Sequence, residues 1–411
     1  MGAGVGSPYH LLQYTLTPDK LQKAHALYLL RGTLYFVMTA WTFLVLYLML
    51  RMQFGVRLRD WAQRASRFRA LQAVIVMCLF VLVLGVAQLP FDTYQHHISL
   101  KYGLSVQHWS SWFWDWGKRM LLGFLLASPV GWGLYAVLHR SSRRWWFYFW
   151  LGTCPCVVLV VFVAPIWIEP LFNKFEPLTG RHPDLVMQIE RVVHRAGMQI
   201  PQPRMFEMKA SEKTTQLNAY VTGFGGTKRV VVWDTTMANL AMPQTLFVFG
   251  HEMGHYVLGH IPKELTIILL QLLVLFYLGN RLANWMLARY GANWGIRDLS
   301  DWASLPLLVL IISALTFLAT PAFNAVSRHY EHQADQYGLE VIHGLVPNAP
   351  LAAAEAFQIL GERSLDYPYV GKLREFWAWD HPTIRDRMIF VQTYNPWSEG
   401  RKPEFVNVAP P

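Results

Sequence analysis

Six apolar segments separated by charged residues dominate the pattern of the chain. Each lacks charged side chains, and all but one contain at least nineteen residues. They are residues 32–50, 70–91, 120–138, 145–168, 265–280 and 302–327. A helix of about twenty apolar residues crosses the hydrocarbon core of a bilayer. The pattern therefore predicts a mainly α membrane protein with about six transmembrane helices, the fifth being the weakest because Arg281 interrupts it.

Two further regions have ordinary charge density and contain several prolines and glycines. Because two predicted spans separate these regions, both emerge on the same side of the membrane and can build one water-facing α+β domain. Its first part contains a helical pattern at 184–196 and a predicted hairpin, with strands at 217–222 and 229–233 around a glycine-rich turn. The predicted order is a polar N-terminal lead (1–31), four spans (32–168), the first water-facing part (169–264), two spans (265–327) and the second water-facing part (328–411).

Composition supports the membrane assignment. Hydrophobic residues make up 53% of the 411 residues and charged residues 15%, against roughly 25% charged in a typical soluble domain. This balance excludes a disordered chain. The net charge of +10 could indicate nucleic-acid binding, but the basic residues are spread between the apolar segments. Membrane topology explains them better, and we expect no nucleic-acid partner.

The sharpest local motif is His251-Glu252-Met253-Gly254-His255. Pro243 suits the first turn of a helix that would carry it. Residues four apart share one helix face, so both imidazoles can bind one metal ion while Glu252 reaches the water bound there. Zinc suits nitrogen and carboxylate ligands and activates water for hydrolysis. Because three fixed residues also recur by chance, the motif alone is not decisive.

A second motif supplies a third candidate ligand. Glu331 and Asp335 are four residues apart and therefore share a helix face. We expect Glu331 to bind the metal and Asp335 to accept a hydrogen bond from a ligating imidazole. An alternative is a solvated face that follows a membrane helix. His329 and His332 lie nearby but not at i+4 from Glu331, so we expect them to lie outside the ligand set.

Together these motifs resemble those of the type I CAAX prenyl proteases, which are membrane zinc metalloproteases, with the HtpX heat-shock proteases as more distant relatives. The resemblance covers most of the chain from about Leu89 onward. The matching residues are His251-Glu252-Met253-Gly254-His255, the set Asn324, Ser327, Arg328, Glu331, Ala334 and Asp335, the segments 170–175, 218–223 and 232–235, and His381-Pro382 with Arg387.

The resemblance implies a gluzincin-type domain beside a barrel of helices that encloses a chamber. It implies one Zn²⁺ per chain, held by His251, His255 and Glu331, and a zinc-activated water that hydrolyses a peptide bond. The roles it implies for single residues are a general base at Glu252, an oxyanion donor at His381, a carboxylate- or backbone-orienting Arg387 and peptide binding by the strand at Asn218, Ala219 and Tyr220. His260 also fits the family pattern but lies beyond the ligand face, so we expect a structural role. The expected partners are a peptide or protein substrate, lipidated or not, and the lipid bilayer, and the expected state is a monomer.

The sequence departs from this family in two respects. The eukaryotic relatives have seven membrane helices, whereas six are predicted here, and the first is the missing one. The second departure concerns which side of the membrane the catalytic domain faces. Twelve arginines lie on the side opposite the zinc motif, against six lysines and arginines in the short segments on its own side. The positive-inside rule therefore places the catalytic domain outside the cytoplasm, whereas known members of the family face the cytosol.

Two alternatives remain open at the level of sequence. A membrane quality-control protease of the HtpX type would share the fold and the motifs. A catalytically silent scaffold or transporter belongs to another class, and the intact spacing of His251, Glu252, His255 and Glu331 argues against it. The favoured interpretation is a membrane-embedded zinc metalloendopeptidase that processes C-terminal tails.

Overall fold

The structure, a computed structural model, describes residues 11–223 and 227–406. Its α-helices are α1 (Pro18–Arg51), α2 (Phe54–Ala65), α3 (Arg69–Lys101), α4 (Trp109–Arg140), α5 (Trp145–Val163), α6 (Glu169–Phe172), α7 (Pro183–Arg195), α8 (Asp234–Asn239), α9 (Met242–Val257), α10 (His260–Trp294), α11 (Leu305–Ile342), α12 (Ala349–Ser364), α13 (Lys372–Ala378) and α14 (Ile384–Thr393). The strands are β1 (Phe175–Pro177), β2 (Met205–Met208), β3 (Ala219–Thr222) and β4 (Arg229–Trp233).

The chain divides into two compact units. The helical unit consists of Leu30–Phe172 and Ile261–Pro321. The sheet-containing unit consists of Met1–Leu29, Asn173–His260 and Ala322–Pro411.

Six helices in the described part of the chain are long and apolar enough to cross a membrane, which confirms the predicted number. They are Pro18–Arg51, Arg69–Lys101, Trp109–Arg140, Trp145–Phe172, His260–Trp294 and Trp302–Ile342. Arg281 does not break the fifth helix, because a single charge on a long apolar helix costs less than the hydrogen bonds of an interrupted backbone.

Two connecting segments are helical. The polar lead is not separate from the first span, because α1 begins at Pro18 and buries Ala24 and Leu27 in the sheet-containing unit. The first ten residues of that lead lie outside the described residues. The second segment is the arginine-rich stretch after the first span. It forms α2, which buries Leu58 and Ala62 on one face.

The sheet-containing unit is built on a four-stranded sheet with the order β1-β2-β4-β3. β3 and β4 are antiparallel, with Ala219 opposite Val232, so the predicted hairpin is confirmed. Residues 224–226 of its turn lie outside the described part. The predicted helix at 184–196 is α7, and its apolar face is buried in the core. β3 is a terminal strand of the sheet, and it packs against α9.

Small residues let α9 and the second half of α11 pack closely. A Cβ atom added at Gly254 would lie 3.1 Å from the Cα of Ala334 and 3.0 Å from the Cβ of Tyr337. One added at Gly338 would lie 3.0 Å from the backbone nitrogen of His251. The two helices that carry the HEMGH motif and Glu331 are therefore nearly in backbone contact, which brings their side chains to one point.

Candidate metal centre

The HEMGH motif lies on α9. Pro243 is in the first turn of this helix, and the backbone nitrogen of Ala241 donates to Gln244 Oε1 at 2.8 Å, which fixes its start. His251 and His255 are one turn apart, and their Nε2 atoms are 3.1 Å from each other. Because the two rings converge on one point, they are arranged as a pair of metal ligands.

Glu331 completes a three-residue cluster. Its Oε2 lies 3.4 Å from His251 Nε2, and its Oε1 lies 3.3 Å from His255 Nε2. His251, His255 and Glu331 each offer one ligand atom, and these three atoms lie within 4.8 Å of one another. Glu331 is 6% exposed, and its Oε2 accepts no hydrogen bond from the described residues. A buried carboxylate oxygen in this position is suited to a cation.

The tautomer of His251 is set by a carboxylate behind it. His251 Nδ1 donates to Asp335 Oδ1 at 2.9 Å, because an ionised carboxylate only accepts. Arg387 donates two hydrogen bonds to the same carboxylate, from Nη2 to Oδ1 at 2.6 Å and from Nε to Oδ2 at 2.8 Å. In neutral His251 the proton on Nδ1 leaves a lone pair on Nε2, facing the cluster. Asp335 and Arg387 therefore present His251 as a ligand.

Of the two roles expected for Arg387, orienting a carboxylate is the one that its contacts support. Burial lowers the pKa of its guanidinium, but the carboxylates of Asp335 and Glu331 outweigh burial and raise that pKa above its usual range. Arg387 Nη2 also lies 3.3 Å from Glu331 Oε2. The charged guanidinium therefore contacts both Asp335 and Glu331.

The tautomer of His255 is set by His260, a residue that sequence reasoning assigned a structural role only. The Nδ1 atoms of His255 and His260 are 3.1 Å apart, and His260 Nε2 lies 3.1 Å from Gln333 Oε1. Since the amide oxygen of Gln333 accepts, His260 donates from Nε2 and accepts from His255 on Nδ1. His255 is then protonated on Nδ1 and presents a lone pair on Nε2.

His260 reaches this position because the helix is interrupted before it. α9 ends at Val257, and Gly259 has a φ of +67°, a conformation that glycine adopts without strain. The ring of His260 then stacks on Tyr330 with centroids 4.5 Å apart, and the side chain is 1% exposed. Gly259 is the residue in the sequence that could have indicated this arrangement. A glycine near a helix end often marks a change in chain direction, so the i+4 spacing no longer tells which residues share a face beyond it.

With both imidazoles neutral, their two lone pairs and the carboxylate converge at 3.1 to 3.4 Å and would repel one another. Burial lowers the pKa of His251, but Glu331 and Asp335 outweigh burial and raise it to about 10, so the cluster favours a positive charge. A metal ion removes that repulsion, so the donor set and its hydrogen-bonded tautomers fit the cofactor expected from the sequence. The residues therefore meet the requirements of a metal centre formed by His251, His255 and Glu331.

Glu252 follows the first ligand on α9. Burial raises the pKa of its carboxyl group, and the neighbouring imidazoles of His251 and His255 oppose that rise. A carboxyl group with a raised pKa holds a proton more readily than an ordinary one, as a general acid must. This property suits the acid step of the general base and acid role expected at this position.

His381 approaches the cluster from the segment before α14. Its Nε2 lies 3.3 Å from Glu331 Oε1, and its Nδ1 lies 2.8 Å from Asp380 Oδ1. Burial lowers the pKa of His381, but the hydrogen bonds to Asp380 and Glu331 outweigh burial and raise it to about 9. His381 therefore carries a proton that it can donate beside the metal centre.

Asn218, Ala219 and Tyr220 lie on and next to β3, the strand that packs against α9. The backbone of Asn218 is fixed by Thr236, which accepts from its nitrogen at 2.8 Å and donates to its oxygen at 2.7 Å. The side chain of Asn218 is exposed, and that of Ala219 is buried. These contacts hold the start of a terminal strand in a defined position.

Comparison with known proteins gives two family matches. Residues 180–395 match peptidase family M48. Residues 7–174 match the CAAX prenyl protease N-terminal family, which is described as having five membrane helices. Four of the six candidate spans in the described residues lie in the second range.

Individual relatives agree with these matches. The chain is 34% identical over 377 residues to "Uncharacterized metalloprotease YhfN" of Bacillus subtilis (strain 168), which covers 91% of this chain and 85% of that protein. It is 29% identical over 275 residues to "CAAX prenyl protease 1 homolog" of Dictyostelium discoideum, covering 65% of this chain and 63% of that protein.

Among solved structures, the crystal structure of S. mikatae Ste24p has the same fold. The TM-score is 0.77 at 20% sequence identity, and the match covers 92% of this chain and 89% of that chain. Because the M48 match spans more than half of the 411 residues and includes both motifs, the chain belongs to peptidase family M48 and is a multi-pass membrane metalloendopeptidase.

Proposed function

We propose that this enzyme is a zinc endopeptidase whose metal is held by His251, His255 and Glu331. The observation that carries the proposal is the convergence of the three side chains. The Nε2 atoms of His251 and His255 are 3.1 Å apart, and they lie 3.4 Å from Oε2 and 3.3 Å from Oε1 of Glu331, respectively. Ligands at about 2.1 Å from zinc in a tetrahedral site are about 3.4 Å from one another. Two imidazoles, one carboxylate and an open fourth position are also typical of catalytic zinc.

When bound, the zinc supplies a Lewis acid that polarises the peptide carbonyl and lowers the pKa of a water molecule. With the metal bound, Glu252 would act as the general base toward water and then as the general acid toward the leaving amine, and its raised pKa favours the second role. His381 donates a hydrogen bond to the oxygen on which negative charge develops. Asp335, Arg387 and His260 hold the two imidazoles in the required tautomers.

We propose that the substrate binds as an added strand along β3. A terminal strand offers backbone N–H and C=O groups to an extended peptide, and Asn218, Ala219 and Tyr220 form its first part. The side chain of Asn218 is exposed at the start of this strand. Similarity to CAAX prenyl protease homologues along most of the chain supports C-terminal tails as the substrate class, with or without a lipid.

The three candidate ligands lie on one chain, so the proposed zinc site needs no ligand from a second copy. We propose one zinc ion per chain and a monomeric enzyme. The concentration of arginine on the opposite side of the membrane supports a catalytic domain outside the cytoplasm.

The test compares the purified protein with its Glu252→Gln variant. Zinc content by elemental analysis and cleavage of a C-terminal tail peptide, with and without a prenyl group, are measured on both. We expect about one zinc per chain in both proteins and loss of cleavage in the variant. A variant that cleaves as fast as the wild type contradicts the role of Glu252, and a wild type without zinc contradicts the metal assignment.

A further inference from the structure

The helical unit contains a polar cavity that the peptidase chemistry does not use. It has a volume of about 170 Å³ and is bounded by the end of α2, the start of α3, the end of α4 and the loop before α11. The lining includes Arg69, His139, Arg297, Asp298 and Ser300. These ends belong to the side of the bundle where the sequence concentrates arginine.

The charges around the cavity favour an anion. Arg69, His139 and Arg297 are exposed, and neither arginine forms an ion pair with another residue in the described ranges. Asp301 also lines the cavity, but Arg59 Nη1 binds its carboxylate at 2.8 Å. Asp298 is the remaining acid in the lining, and it accepts from the backbone and the hydroxyl of Ser300. The lining therefore contains Arg69, Arg297 and His139 but only one carboxylate, that of Asp298, that is not paired with an arginine in the described residues.

The Arg59–Asp301 pair also makes the cavity a defined structure. The side chains of Arg59 and Asp301 are 7% and 4% exposed. Asp301 additionally accepts from the backbone nitrogens of Arg297 at 3.3 Å and Ala303 at 3.1 Å. This buried ion pair links α2 to the loop that carries Arg297 and Asp301. The backbone of that loop is therefore held in place by buried contacts.

The adjoining helix α2 indicates the depth of the cavity in the membrane. It is twelve residues long, joins the first two spans and buries Leu58 and Ala62. Its exposed residues include Trp61, and Phe68 just beyond it is also exposed. A short basic helix with exposed aromatic side chains is typical of the level of the lipid headgroups.

We propose that this cavity binds the phosphate-bearing headgroup of an anionic phospholipid, with Arg69 and Arg297 as the contacts to phosphate. Guanidinium groups form paired hydrogen bonds with phosphate oxygens. Basic pockets between membrane helices are suited to anionic headgroups. Free phosphate has the same chemistry, but the interfacial helix beside the cavity favours a lipid that is already at that depth.

The experiment uses the full-length protein in a neutral detergent, to which phosphatidylglycerol or phosphatidylcholine is added at low mole fraction. Native mass spectrometry measures the lipid bound to each protein molecule. We expect phosphatidylglycerol to be retained in preference to phosphatidylcholine. The double variant Arg69→Gln/Arg297→Gln should bind phosphatidylglycerol about tenfold more weakly.

A matched variant, Arg143→Gln/Arg289→Gln, removes two exposed arginines from the same side of the bundle but outside the cavity lining. It should keep most of the affinity, and Arg69→Lys/Arg297→Lys should keep part of it if the glutamine variant is unstable. Equal losses in both glutamine variants would show a diffuse charge effect and overturn the proposal. Equal binding of both lipids, or displacement of the lipid by millimolar inorganic phosphate, would overturn the assignment to a lipid.

Discussion

Arg387 binds the carboxylate of Asp335 through two hydrogen bonds of 2.6 and 2.8 Å, and the same carboxylate accepts from His251 at 2.9 Å. The guanidinium therefore reaches the proposed metal through Asp335 and His251, and it also lies 3.3 Å from Glu331 Oε2. We expect its effect on catalysis to be exerted through the orientation of these ligands.

We therefore expect Arg387→Lys to weaken zinc binding by about 10- to 100-fold, the range found when outer partners of metal ligands are altered. Lysine keeps the positive charge but cannot make the two-point contact. Competition with a chelator of known zinc affinity measures the change. Arg385→Lys, on the exposed side of the same helix, is the control and should bind zinc as the wild type does. Unchanged affinity in Arg387→Lys would contradict the positioning role.

The contact between His260 and His255 predicts a second positioning effect. His260→Ala removes the acceptor for the proton on His255 Nδ1, so His255 is no longer held in one tautomer. We expect zinc affinity to fall about 10-fold or more, and the pH at which zinc is half released to rise, because protons then compete more effectively with the metal. His329→Ala, at an exposed position, provides the control. Zinc release at the same pH in all three proteins would show that His260 only fills space.

His381 is proposed to act on the reaction and not on the metal. His381→Ala should lower kcat by about 10² to 10³, the usual cost of removing one oxyanion donor, while zinc content stays near one per chain. His381→Gln, which keeps a donor, should recover part of the loss. Steady-state kinetics on a tail peptide together with elemental analysis separate these effects. Loss of zinc in His381→Ala would instead make His381 part of the metal centre.

The close approach of α9 and α11 predicts a steric effect at Gly254. Valine at this position would place its Cβ about 3 Å from Ala334 and Tyr337, which forces the helices apart and separates the ligands. We expect a destabilisation of about 1–3 kcal/mol and weaker zinc binding. Gly180→Val, where an added Cβ meets nothing within 4 Å, should leave both properties unchanged. Thermal unfolding in detergent and chelator competition measure them.

The parts of the site that depend on local helical periodicity could be predicted from the sequence. The i+4 spacing of His251 and His255 placed both rings on one face, and the same spacing linked Glu331 to Asp335. The contact between His260 and His255 was not predicted. The positive φ of Gly259 ends the helical periodicity from which we inferred that His260 lies beyond the ligand face. The sequence also left two roles open for Arg387, since a residue 52 positions from Asp335 is brought to it only by tertiary packing.

The orientation of the enzyme stays a prediction that rests on the arginine count. The twelve arginines opposite the zinc motif favour the cytoplasm for that side, so residues 328–411 should lie outside it. Alkaline phosphatase fused after Pro411 should then be active in bacterial cells, and green fluorescent protein fused at the same point should not fluoresce. Replacing Arg51, Arg57, Arg64 and Arg67 by glutamine removes a third of this charge and should reduce the phosphatase signal. A fluorescent fusion with inactive phosphatase would place the catalytic domain in the cytoplasm and overturn the prediction.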